Sequence, residues 1–105
     1  MSMRNLQSMA LQMQQEMERI QAELADATVE GTAGGGAVRA VVTGKQTLVS
    51  LAIDPAAVDP DDVDMLQDLV TAAVNDALEG SRRLAEQKMG ALSSLTGGLG
   101  GLLGR

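Results

Sequence analysis

The sequence predicts an α+β fold: a long N-terminal helix, a small antiparallel three-stranded sheet and a long C-terminal helix. Three observations carry that reading. Residues 31–54 hold the strand-like chemistry, with two β-rich runs separated by a glycine turn. Before them, apolar residues recur at heptad-like spacing. After them, an Asp-Pro start opens a second long run rich in Ala, Leu and Val.

Residues 4–27 read as the first helix. Leu6, Met9, Met13, Met17, Ile20, Leu24 and Ala27 form one stripe, and Gln and Glu fill the other faces. A stripe this narrow cannot hold an isolated helix in water. It covers either the domain's own sheet or a second subunit, and Met9, Met13 and Met17 are the candidate subunit contacts.

Thr28 to Ala33 form a short first strand, and Gly34-Gly35-Gly36 a structural connection. Residues 37–43 and 46–53 then make a hairpin with Gly44-Lys45 at the turn. Period two places Val49, Leu51 and Ile53 on one face of the last strand and Leu48, Ser50 and Ala52 on the other. Val49, Leu51 and Ile53 join the candidate dimer surface.

Asp59-Pro60-Asp61-Asp62 reads as a helix start, with Asp59 as cap and Pro60 in the first helical position. The helix is expected to reach about Met89, with Gly80 marking a bend and Gly90 the stop. The chain thus divides into one domain, residues 1–90, and a Gly/Leu-rich flexible tail, residues 91–105.

Composition excludes much chemistry. The chain has no Phe, Tyr, Trp, His or Cys. That removes thiol catalysis, imidazole or thiolate zinc sites, the Ser-His-Asp triad and base stacking on aromatic rings. Gly44-Lys45 is followed by Gln46, and Arg39 stands where a phosphate loop needs its first glycine. Asp59, Asp61, Asp62 and Asp64 lack the glycine of a calcium loop. An enzyme is not expected, nor a cofactor, metal or small-molecule substrate. No run approaches the roughly 20 apolar residues of a membrane helix, and no signal peptide is read at the N-terminus, so a soluble protein is expected.

The net charge is −6, but its distribution matters more. Eight acidic residues and no cation lie between Asp54 and Glu79, whereas Arg82, Arg83, Lys88 and Arg105 face Glu86 alone beyond Ser81. A dimer would be acidic in its body and basic at its extremities. Cations suffice for phosphate contacts without base-reading geometry.

Several segments taken in order resemble the YbaB/EbfC nucleoid-associated proteins. They are Met13-Gln-Gln-Glu-Met17, Gln21-Ala-Glu-Leu24, Val29-Glu-Gly-Thr-Ala-Gly34-Gly-Gly36-Ala-Val38, Thr43-Gly44-Lys45 and Leu51-Ala-Ile53-Asp54-Pro55. The match continues from Asp64 through Asn75-Asp76-Ala77 to Lys88-Met89-Gly90. The resemblance implies an α-β-β-β-α subunit in an intertwined, tweezer-like homodimer. It also implies binding of double-stranded DNA with limited sequence specificity in the cytoplasm and nucleoid, and a role in chromosome organisation or gene regulation. Arg82, Arg83 and Lys88, assisted by Arg4, are then the expected contacts to the DNA backbone. The chain departs from the family in charge, because its first helix carries only Arg4 and Arg19 where relatives are often Lys-rich. The rival reading is a dimeric protein–protein interaction module, served by adaptable Met-rich helical surface.

Overall fold

The structure, a computed structural model, describes the backbone of residues 2–103 and the side chains of residues 2–92. Its order is α1 (Met3–Asp26), β1 (Thr28–Ala33), β2 (Val38–Thr43), β3 (Leu48–Ile53), a 3-10 turn (Pro55–Ala57) and α2 (Val63–Leu103). The three strands are antiparallel in the order β1-β2-β3. The predicted architecture is present.

Burial follows the sheet's alternation. Val38, Ala40 and Val42 of the central strand are fully buried against Ala73 and Ala77 of α2. On α2, Ala73, Asp76, Ala77, Gly80 and Ser81 fall at i, i+3, i+4, i+7 and i+8, which is one helical face. Their small size lets the helix lie almost on the strand. A Cβ on Gly31 would stand 2.2 Å from the Ala77 nitrogen and 2.4 Å from the Ala73 oxygen. A Cβ on Gly80 would meet Val29 at 2.7 Å. Gly80 therefore marks a close approach inside a continuous helix, where the sequence suggested a bend.

Two polar contacts fix the seam. The buried Ser81 hydroxyl donates to the Thr43 carbonyl at 2.8 Å, and the Thr32 N–H donates to the Asp76 carboxylate at 3.1 Å. The second contact occupies a backbone donor of β1 with a side chain of α2. At the hairpin tip the Gly44 N–H donates to the Ala27 carbonyl at 3.1 Å, and a Cβ there would reach the Leu24 oxygen at 2.6 Å. Gly44 is thus needed for proximity to α1, while Gln46 carries the turn's positive φ of 64°.

Three local expectations change. The cap of α2 is Asp62, whose carboxylate accepts from the Met65 N–H at 3.2 Å, so the helix begins at Val63 and not beside Asp59. Asp59 instead accepts from the Asp61 N–H within the preceding turn. Gly90 does not stop α2, whose backbone continues to Leu103. Leu92 is buried with Ile20 and Leu24, with Met13, Leu84, Ala85 and Met89 packed around them. The tail side chains from Ser93 onward, and Gly104 and Arg105 entirely, lie outside the described residues. Lastly, the register shifts between Val41 and Val42: Ser50 opposes Val41 and Leu48 opposes Val42. Directly opposed residues share a face, so Leu48 joins Leu51 and Ile53. Val49 is the extra residue of a bulge and leaves the alternation.

The molecule is long, 71 × 27 × 16 Å, with a radius of gyration of 20.3 Å. A compact chain of this length would have about 13 Å. Toward the start of α1, Met3, Leu6 and Leu11 are exposed.

Gly31→Ala should cost about 3 kcal/mol or more in chemical denaturation, because both clashing atoms are backbone. Gly35→Ala, with open space but a φ of +68°, should cost only about 1–2 kcal/mol.

Candidate nucleic-acid interface

Arg82, Arg83 and Lys88 lie on α2 just past the Ser81 contact, so that contact also sets where they stand relative to the sheet. Arg82 and Lys88 are about 9 Å apart along its axis at 1.5 Å per residue. Arg83 is the most open of the three, 71% exposed, and Lys88 the least, at 30%. Arg4 is not brought to them. It stands in the first turn of α1, about 28 Å along that helix from Glu23, which Lys88 meets. A cation there opposes the helix dipole, so dipole stabilisation does not account for it.

The cations are extensively paired with glutamates. Glu79 takes Arg82 at 2.9 Å and Arg83 at 3.7 Å. Glu23 takes Arg19 at 2.7 Å and Lys88 at 2.9 Å, and Arg19 also reaches Glu16 at 2.6 Å. Arg39 pairs with Glu30 at 3.3 Å across the sheet. Among the described residues, Arg4 and Lys45 form no ion pair. Glu79 precedes its arginines by three and four residues, a spacing readable in sequence. The Glu23–Lys88 pair joins residues 65 apart and gave no local signal. Together with Ile20, Leu24 and Leu92, it ties α1 to α2.

A recess of about 300 Å³ lies between these helices, lined by Arg19, Glu23, Leu84, Lys88 and Leu92 among others. Its charged groups already satisfy one another. Among the described residues no cluster of acidic side chains is placed to hold a metal ion, and no helix is long and apolar enough to cross a membrane.

The candidate dimer residues divide. Met13 and Ile53 pack within the chain's own clusters. Met9 is half-buried, while Met17, Val49 and Leu51 are exposed, Val49 at 57%. Leu48, also exposed, was missed because strict alternation put it on the opposite face.

The chain is an elongated α-β-β-β-α unit that carries Arg82, Arg83 and Lys88 along one long helix. The sequence profile of the YbaB/EbfC DNA-binding family matches residues 1–99, and the chain belongs to that family. A nucleoid-associated protein of Chloroflexus aurantiacus is 51% identical over 97% of this chain and 99% of its own length. One from Acetivibrio thermocellus is 52% identical, covering 95% and 86%. The fold matches a crystal structure of an uncharacterised Helicobacter pylori protein with a TM-score of 0.72. That likeness covers 90% of this chain and 98% of the other at 24% identity.

The carboxyls of Glu23 and Glu79 are held below the ordinary glutamate range, Glu23 first by the hydrogen bond from Lys88 and Glu79 first by that from Arg82. A folded-state value below the unfolded one gives stability that is complete above the unfolded value and lost as pH falls through the lowered one. Exposure keeps this contribution small. Thermal circular dichroism should therefore show a slight extra loss of Tm below about pH 4.3 that Glu23→Gln and Glu79→Gln remove.

Proposed function

We propose that this chain is a nucleoid-associated protein that binds double-stranded DNA through its backbone phosphates with limited sequence specificity, as a homodimer. It would thereby contribute to chromosome organisation and gene regulation. Family membership over nearly the whole chain carries the reading. The side chains support it: Arg82 and Arg83 are at least half exposed and Arg4 is open. No aromatic ring is present to stack on bases, and phosphate contact needs only exposed cations such as these.

The dimer reading rests on β3. Its exposed Leu48, Val49 and Leu51 lie on an edge strand that α2 leaves uncovered, and exposed Val58, Val63 and Met65 follow in sequence. An open apolar edge pairs with another strand unless it is protected. At the opposite edge Asp76 occupies the Thr32 N–H, which favours β3 as the joining side. Met9 and Met17 on α1 extend the candidate surface.

Replacing Arg82 and Arg83 together by Ala should weaken binding of unrelated duplexes equally and reduce the slope of log K against log salt by about 1–2 in magnitude for each protomer that contacts the duplex. Unchanged affinity in a folded protein would refute the assignment of these arginines. Leu51→Glu should shift sedimentation from dimer toward monomer; an unaffected dimer would place the interface elsewhere.

A further inference from the structure

Glu79 holds two arginines at once, Arg82 at 2.9 Å and Arg83 at 3.7 Å. These are the two most exposed cations of the candidate DNA surface on α2. The carboxylate is itself about half exposed, so nothing buried requires the arrangement, and exposed pairs of this kind contribute little to folding. Glu86 lies four residues after Arg82 and three after Arg83, yet makes no ion pair among the described residues. Its order along the helix is the less favourable one, because a glutamate N-terminal to its cation pairs better.

We propose that Glu79 is a built-in competitor for DNA phosphate, an autoinhibitory counterion that keeps Arg82 and Arg83 neutralised until a nucleic-acid backbone displaces it. The inference rests on the DNA-binding reading above. Phosphate and carboxylate seek the same guanidinium donors, and a given N–H cannot serve both at full strength. When DNA binds, the two arginines leave Glu79 and the freed carboxylate takes up a cation from solution. That uptake offsets part of the cation release that drives binding. Glu79 thereby lowers affinity and flattens its salt dependence. Only a dense array of phosphates, and not an isolated anion, competes effectively. Glu23 repeats the pattern with Arg19 and Lys88. It also ties the helices together, so its removal would mix packing with binding, and Glu79 is the cleaner test.

The test is fluorescence anisotropy of a labelled duplex with the full-length protein across a salt series, using wild type, Glu79→Gln and Glu86→Gln. Each substitution is also placed in the Arg82→Ala/Arg83→Ala background. Glu79→Gln should bind about two- to fivefold tighter at low salt, the range to which one or two exposed ion pairs convert. Its salt slope should be steeper by up to about 1. The gain should vanish when both arginines are absent, and Glu86→Gln should give at most a minor gain. Equal gains from Glu79→Gln and Glu86→Gln would reduce the effect to net charge and overturn the proposal. A gain that persists without the arginines, or no gain in a wild type that binds, would overturn it too. No binding by wild type or any variant would instead refute the DNA-binding reading itself.

Discussion

The close approach of α2 to β1 at Gly31 governs the rest of the structure. With backbone atoms of Ala73 and Ala77 within 2.4 Å of where a Cβ would stand, the helix and strand have little freedom to slide. The same face then delivers Asp76 to Thr32 and Ser81 to Thr43. Contacts so specific in register fix which turn of α2 stands over the hairpin tip. An aromatic-free core can use this device because Ala, Gly and Ser leave room for main-chain contact where rings would hold elements apart. One helix seated so tightly over β1 and β2 leaves β3 without a cover, which is the physical origin of the exposed apolar edge.

The charge distribution has an equally local basis. An acidic chain would repel DNA at long range, but salt screens charges beyond about 8–10 Å, so the immediate neighbours of each cation matter most. Here those neighbours are glutamates on α1, β1 and α2, while Arg4 and Lys45 form no ion pair among the described residues. A surface organised in this way fits reversible, modest binding in which many weak contacts sum over an extended molecule.

Much of this was legible in the sequence, and the exceptions are instructive. β1 matches its predicted bounds because glycines and β-branched residues punctuate it clearly. Of the heptad stripe of α1, Ile20 and Leu24 are buried and Met9, Met13 and Ala27 half-buried, whereas Leu6 and Met17 are exposed. The failures arose where tertiary contact overrode local preference. Gly90 is a fair stop signal, but Leu92 has a partner in Ile20 and Leu24, and packing can outweigh a propensity cost of about 1 kcal/mol. Asp59 and Asp62 are equally good caps by type, and only the geometry chose Asp62. The bulge at Val49 has no signature in the β3 residues themselves. For the candidate site, the local Glu79 pairs follow from helical spacing, whereas Glu23–Lys88 needed the fold to bring α1 against α2.

The central claim is that this α-β-β-β-α subunit, organised by the Gly31 seam, serves to grip nucleic-acid backbones. It is tested most directly by titrating two labelled duplexes of unrelated sequence with the wild-type protein at low and near-physiological salt. The account predicts nearly equal affinities for both duplexes, falling together as salt rises. Binding to neither duplex at low salt, or a strong preference for one that salt does not erode, would contradict it.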